Sequence, residues 1–192
     1  MIFTKILTPT LIGVASIIEN KMTIENNEKI LESYLIFQLG REQFAAHVSK
    51  ISSIIQIPTI TKIPKAPLFM KGIIQFHGTS IPLIDTRIRF GMPATETNKN
   101  TVIIILEIKI GLEMVSIAAL VDSVQEVLGI NEADIFPLPD LGNKYKSEFI
   151  LGVLKSDKSF IMLLDLDSIF QFDELEILSN QYSDITEVFS EA

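Results

Sequence analysis

The feature of this sequence that most constrains its fold is a stretch of twenty residues that recurs once. The segment Gly72 to Gly91, GIIQFHGTSIPLIDTRIRFG, aligns without a gap on Gly152 to Gln171, GVLKSDKSFIMLLDLDSIFQ. Five positions are identical and four are conservative. Chance agreement is easier in a chain rich in Ile and Leu, but matches at Gly, Asp and Phe in one register favour a true duplication. A repeat at this spacing predicts two similar lobes, each closed by a hairpin that turns into a short helix.

Short extended segments dominate the rest of the chain. Tyr34 to Leu39 and Phe44 to Val48 predict an opening hairpin, and the apolar run Thr101 to Ile108 predicts a buried strand. Asp122 to Leu128 fits both a strand and a helix, because its apolar residues match either period. With about ten such strands and few short helices, the sequence predicts an all-β fold of two small barrels or a barrel-like sandwich.

Composition excludes several classes of function. A net charge of −8 argues against a nucleic-acid partner, because phosphate binding needs a basic stripe. The chain has no Cys and only two His, which argues against disulfides, thiolate metal sites and histidine-rich metal sites. We therefore expect no metal and no cofactor. The lack of Cys leaves the compartment open and suits the cytoplasm.

The two ends of the chain differ from its centre. In residues 1–21, Lys5 precedes a mostly apolar run, Ile6 to Ile18, that is shorter than the roughly twenty residues needed to span a membrane. An unstructured or upstream segment before a true start at Met22, a peripheral helix and a signal peptide are three interpretations of it. Residues 173–192 form an acidic tail in which one apolar helical stripe is compatible with the spacing.

The duplicated Asp85 and Asp165 are the one constellation that suggests catalysis. Aspartic proteases place one such Asp in each of two related lobes. Their active-site loop needs a Gly two residues after the Asp, however, and this chain has Arg87 and Asp167 there. We therefore interpret both Asp residues as helix N-caps, keep the protease as a remote alternative, and predict no enzymatic activity.

Four motifs occur in one order along the chain. They are YLIFQLGREQFA (Tyr34 to Ala45), TKIPKAPLFMKGIIQFHGTSIPLIDTRIRFG (Thr61 to Gly91), ALVDSVQEVLGI (Ala119 to Ile130) and FILGVLKSDKSFIMLLDLDSIF (Phe149 to Phe170). In this order they resemble the CheW family, the adaptor proteins of bacterial chemosensory arrays. The resemblance covers residues 34–172.

The resemblance implies two SH3-like five-stranded barrels, roughly residues 34–95 and 96–172, between which terminal strands can be swapped. It implies a cytoplasmic adaptor without catalysis or membrane insertion. Such adaptors couple the regulatory domain of a CheA-like histidine kinase to the cytoplasmic tips of chemoreceptors. The receptor tip docks near an apolar groove between the lobes. The implied contact positions are Ile51, Val102, Val124 and Val127.

Two further positions depart from the family pattern. His77 stands where the family has an Arg before the Gly, and Ser53 stands where an upstream Glu commonly pairs with that Arg. Both partners are changed together, so no unpaired buried charge is left. We predict that Ser53 and His77 bind partners in a dedicated chemosensory or twitching-motility-type pathway. A module that binds the kinase domain and caps arrays without coupling receptors is the alternative.

Overall fold

The computed structural model describes residues 31–110, 112–138, 149–156 and 159–170. Within these ranges the chain forms ten strands in two five-stranded sheets, which confirms the all-β prediction. The predicted extension 1–21 and the acidic tail 173–192 lie outside the described residues. The strands are β1 Glu32–Leu39, β2 Glu42–His47, β3 Ile51–Ile55, β4 Met70–Phe76, β5 Thr79–Asp85, β6 Val102–Ile110, β7 Glu113–Val121, β8 Ser123–Ile130, β9 Ile150–Lys155 and β10 Phe160–Leu164.

Short helices follow strands at four places in the described ranges. Helix α1, Thr86–Arg89, follows β5, and helix α2, Leu166–Phe170, follows β10. Single 3₁₀ turns occupy Val48–Lys50 and Glu132–Asp134. The first of these turns ends directly before β3, which begins at Ile51.

The two sheets share one strand order. Sheet 1 runs β8-β1-β2-β10-β9, and sheet 2 runs β3-β6-β7-β5-β4. Adding five to each strand number of the first half of the chain gives its counterpart in the second half. A division between residues 95 and 96 does not separate the sheets. Strands β1 and β2 of the first half lie in sheet 1 with β8, β9 and β10, and strands β6 and β7 of the second half lie in sheet 2 with β3, β4 and β5.

The repeated segment adopts the same local structure twice. In β4–β5, Gly72 pairs with Leu83 and Ile74 with Ile81; in β9–β10, Gly152 pairs with Leu163 and Leu154 with Ile161. Both hairpins carry a register shift at the equivalent place. These pairs are related by the same gapless alignment that was found in the sequence, so the duplication extends to strand register.

Three apolar layers form the core. One cluster lies within each lobe, around Ile36 and Leu163 in sheet 1 and around Ile74 and Ile103 in sheet 2. A third, the inter-sheet cluster, combines residues of both sheets and is centred on strands β1, β2, β6 and β7. In β6, Ile103 and Ile105 face the lobe core, while Ile104 and Leu106 face the inter-sheet cluster. A strand buried on both faces shows a continuous apolar run rather than alternation.

Candidate partner-binding site

All four apolar positions predicted for partner contact lie at the inter-sheet cluster. Ile51 and Val102 belong to the cluster, with exposed fractions of 8% and 2%. Val124 and Val127, both on β8, are half-buried and pack against it. Of the four, the two β8 residues therefore keep side-chain surface, whereas Ile51 and Val102 mainly support the cluster from inside. Their contact with a partner stays a prediction.

Ile51 and Val124 lie on counterpart strands of the two sheets, β3 and β8. Ile51 of β3 pairs with Leu106 of β6, and Val124 of β8 pairs with Phe37 of β1. Strands β3 and β8 each occupy one end of the strand order of their sheet. The inter-sheet cluster is therefore bordered by two related outer strands.

One ion pair connects helix α1 to the opposite sheet. Arg87 binds Asp122 through two hydrogen bonds, one of them from Nε to Oδ1 at 2.7 Å. The backbone N–H of Gly40, in the β1–β2 turn, donates to Oδ2 of Asp122 at 2.6 Å. Burial alone would raise the pKa of Asp122, but the bonds from Arg87 and Gly40 lower it below its usual value. The bond to Asp122 in turn raises the pKa of Arg87.

A second ion pair connects helix α2 to the other sheet. Lys50, between β2 and β3, lies 2.5 Å from Oδ2 of Asp167. The N–H of Lys109 in β6 donates to Oδ1 of Asp167 at 3.0 Å. Burial would raise the pKa of Asp167, but the bonds from Lys50 and Lys109 lower it overall. Both carboxylates therefore stabilise the contact between the lobes most strongly when they are ionised.

Aromatic rings close the cluster beside α1. The Phe44 ring centroid lies 5.3 Å from that of Phe90, which in turn stacks on Phe149 at 5.8 Å. Arg89 donates to the carbonyl oxygen of Ile169 at 2.9 Å and lies over the Phe69 ring at 4.9 Å. These contacts join both helices to both sheets, so the lobes are held in one orientation by packing as well as by charge.

The two altered polar positions both lie in sheet 2. Ser53 is half-buried on β3 opposite Ile105. His77 is exposed in the two-residue turn of β4–β5, with a φ of 49°, and its ring stacks on Phe76 at 4.1 Å. Gly78 follows with a φ of 84°, so both turn residues have positive φ, as tight hairpin turns require. Among the described residues, no hydrogen bond links Ser53 to His77, and partner binding by either stays a prediction.

Comparison with known proteins identifies the architecture. The family model described as "CheW-like domain" matches residues 33–174. This chain belongs to the CheW-like domain family. The solved scaffolding protein TtCheW from Thermoanaerobacter tengcongensis superposes with a TM-score of 0.65 and 30% identity, over 75% of this chain and 95% of that one. The match confirms the expected pair of SH3-like lobes.

Curated relatives of this CheW-like chain are chemotaxis proteins. The chemotaxis protein CheW of Rhizobium meliloti is 31% identical over 142 residues, which are 74% of this chain and 89% of the relative. The chemotaxis protein CheW of Klebsiella aerogenes is 28% identical over 153 residues, which are 80% of this chain and 90% of the relative. The solved relative is described as a scaffolding protein and the curated relatives as chemotaxis proteins, and membership of this family confirms the prediction of a non-enzymatic chain.

The two duplicated carboxylates of the CheW-like chain are bound locally. Asp85 accepts from the N–H of Ile88 at 3.3 Å, and Lys71 donates to it at 2.8 Å. Asp165 accepts from the N–H of Ser168 at 3.2 Å and from its hydroxyl at 2.6 Å. Each carboxylate therefore binds the first turn of its own helix, and the two share no hydrogen bond among the described residues. That geometry is unlike the proton-sharing pair of an aspartic protease.

The described ranges also lack two kinds of feature. They contain no group of three or more His, Asp or Glu residues placed to hold a metal ion. Among these same residues, no helix has the length and apolar character to cross a membrane.

Sequence reasoning missed the two inter-sheet ion pairs. It noted Arg87 and Asp167 only because they replace the glycines of a protease motif. The available signal was that these two residues carry opposite charges at the same place in the repeat. Their partners, Asp122 and Lys50, lie in equivalent connections, after β7 and after β2, but the sequence contains no signal for that pairing.

Proposed function

We propose that this CheW-like chain is a non-enzymatic adaptor that couples chemoreceptors to a CheA-like histidine kinase in a chemosensory or twitching-motility-type pathway. The observation that carries the proposal is that Val124 and Val127 meet Ile51 and Val102 at one inter-sheet cluster. The first pair belongs to sheet 1 and the second to sheet 2. A partner that docks along β8 therefore contacts a surface supported by both lobes.

The receptor tip is the proposed occupant of the β8 surface. Val124 and Val127 are half-buried, so a docking helix would complete their removal from water. Complete burial of one such side chain is worth about 1.5–3 kcal/mol, and part of that gain is already realised in the free adaptor. Two neighbouring valines supply an apolar centre of the kind that dominates binding energy in small interfaces.

The hairpin tip at His77 supports a dedicated partner. The exposed ring of His77 stacks on Phe76, which packs against the core of sheet 2, so the ring is presented in a fixed position. A partner whose surface is complementary to an Arg at this site would contact the shorter, planar side chain of His77 instead. We therefore propose that His77 and Ser53 select a cognate kinase or receptor.

Binding of the two purified partners tests the proposal. The regulatory domain of the cognate kinase and a soluble receptor tip are each titrated into the full chain by calorimetry. We expect both to bind, and we expect Val127→Gln to weaken receptor binding about tenfold. Glu126→Gln is the matched control, because it places the same side chain at the exposed neighbouring position of β8.

The outcomes separate the two adaptor functions. Binding of the kinase domain without the receptor tip supports the array-capping alternative over coupling. Absence of binding by both partners contradicts both functions. Equal weakening by Val127→Gln and Glu126→Gln would remove the β8 surface from the receptor site.

The proposal places the chain in the cytoplasm, where kinase domains and receptor tips meet. Mass spectrometry of the N-terminus in the native host tests this placement. A mature chain that begins after about residue 18, cut as a secretory signal is cut, would contradict it.

A further inference from the structure

An open cavity of about 240 Å³ lies in the sheet 1 lobe, and no residue of β8 lines it. The residues that line it come from β1, the end of β2 with the following 3₁₀ turn, β9, and the link from β10 to α2. Its polar lining includes Glu32, which accepts from the Tyr34 hydroxyl at 2.9 Å, and His47, which bonds to Ser49 at 2.6 Å. The adaptor proposal assigns no role to this cavity.

The equivalent place in the other lobe holds a much smaller cavity. There the cavity lined by Asp85, Thr101 and Leu120 measures only about 10 Å³. Lys71 of β4 sends its ammonium group to Asp85, at 2.8 Å, and the Asp85 side chain is only 7% exposed. An ammonium group and a cap carboxylate therefore form a built-in pair in sheet 2.

In sheet 1 the carboxylate is kept and the cation is lost. The alignment of the two repeats places Asp165 on Asp85 and, one position before the repeated segment, Leu151 on Lys71. Within the described residues, the Asp165 carboxylate accepts hydrogen bonds from the N–H and the hydroxyl of Ser168, and both donors are uncharged. A carboxylate has about four acceptor positions, so Asp165 keeps capacity for a cation.

The other groups that face the cavity favour a cation over an anion. Lys50 is compensated by Asp167 at 2.5 Å. Among the described residues that line the cavity, Glu32 and Asp165 are therefore the formal charges to which no opposite charge is bound. Leu151 lies at the cavity with 60% of its surface exposed, beside the buried Leu164 and Leu166. An alkyl chain that ends in an ammonium group matches this combination of apolar wall and carboxylates.

We propose that this cavity binds the side chain of a lysine presented by a partner protein, with its ammonium group on Asp165 as that of Lys71 is on Asp85. The methylene groups of the lysine pack on Leu151. This site goes beyond the adaptor function and does not depend on which partner supplies the lysine.

A small probe tests the site apart from any partner. The full chain, labelled with nitrogen-15, is titrated with n-butylammonium, and n-butanol serves as the neutral control of similar shape. We expect saturable shifts of the amide signals around Leu151 and Leu166 with the cation, and at least about threefold weaker shifts with the alcohol. Equal shifts with both probes, or none, would overturn the proposal.

Two variants locate the binding on the named residues. Asp165→Asn removes the charge but keeps an efficient helix cap, so we expect butylammonium affinity to fall about tenfold in a folded protein. Leu151→Lys supplies the missing ammonium group from within the chain and should abolish the amide shifts caused by butylammonium. Leu151→Met should preserve these shifts. An unchanged titration in Asp165→Asn, or occupation of the cavity by a lysine of this same chain, would refute a partner-binding site.

Discussion

Arg87 and Asp167 occupy the same position of the two repeats and carry opposite charges. Arg87 binds Asp122 in the connection after β7, and Asp167 binds Lys50 in the equivalent connection after β2. The duplicated fold has therefore kept two ion pairs at related places while exchanging the signs of their members. The first pair joins helix α1, which follows β5 of sheet 2, to the β1–β2 hairpin of sheet 1 through Gly40. The second pair joins helix α2, which follows β10 of sheet 1, to the β6–β7 hairpin of sheet 2 through Lys109.

Removal of one member of the Arg87–Asp122 pair should destabilise the protein. The two side chains are only 17% and 19% exposed, so Arg87→Ala leaves a largely buried carboxylate without its main partner. We expect a loss of about 2 kcal/mol in the free energy of unfolding, measured by urea denaturation. Arg41→Ala, at an exposed position of the same residue type, is the control and should change it by less than about 0.5 kcal/mol. Similar losses in both variants would contradict a specific role of the pair.

Stability should also fall at acid pH because of these carboxylates. The pKa values of Asp122 and Asp167 are lowered in the folded state, so their contribution is complete above the unfolded value of about 3.9 and is lost as the pH falls through the folded values. Denaturation series between about pH 6 and pH 2.5 measure this loss. The double variant Asp122→Asn, Asp167→Asn should be less stable at neutral pH. Its free energy of unfolding should also fall less steeply as the pH is lowered. If the stability of the double variant fell with pH as steeply as that of the unmodified protein, other groups would be responsible for the loss at acid pH.

Two glycines of the repeat should resist substitution for the same steric reason. A Cβ at Gly72 would overlap the carbonyl oxygen of Thr61, and one at Gly152 would lie 2.5 Å from Cγ2 of Ile135 and 2.9 Å from the oxygen of Phe136. Backbone bonds from these neighbours, such as Ile73 N–H to Thr61 at 2.8 Å, hold them in place. We expect each Gly→Ala change to cost about 3 kcal/mol, seen as a lower Tm.

Gly91 is the control for the glycine prediction. It has a φ of 71°, but a Cβ added there would have no neighbour within 4 Å, so Gly91→Ala should cost only about 1 kcal/mol from backbone conformation. If Gly72→Ala and Gly152→Ala lowered the Tm no more than Gly91→Ala, the close approach of the backbones would not be the cause.

A change at the exposed hairpin tip should affect binding and leave stability unaltered. His77→Asp replaces the imidazole ring with a carboxylate, and Asp tolerates the positive φ of this position. We expect weaker binding of the cognate partner in calorimetry with an unchanged Tm. A loss of several degrees in Tm would instead assign His77 to the packed structure.

The repeat made much of this fold predictable. The alignment of its two copies anticipated both hairpins and the helices after Asp85 and Asp165, because local pattern and turn chemistry determine these features. Periodicity did not decide between strand and helix at Asp122 to Leu128. The segment became β8 because its backbone pairs with β1, which lies far from it in the sequence, near the start of the described chain.

The exchange of strands and the site depend on long-range packing. The local sequences of β1 and β6 do not indicate which sheet each strand joins, because both strands are apolar on both faces. The open cavity could not be predicted either. The replacement of Lys71 by Leu151 is visible in the alignment of the repeats, but its consequence depends on residues of β1 and β2 that the repeat segment does not contain.

The most direct test of the coupling function measures capture of the kinase by the receptor. A receptor tip is immobilised, and the bound regulatory domain of the CheA-like kinase is quantified with and without this chain. We predict that capture depends on this chain, and that Val127→Gln reduces it while Glu126→Gln does not. Capture that is the same with and without the chain, when the kinase domain binds the chain in solution, would contradict the proposal that this protein couples the two.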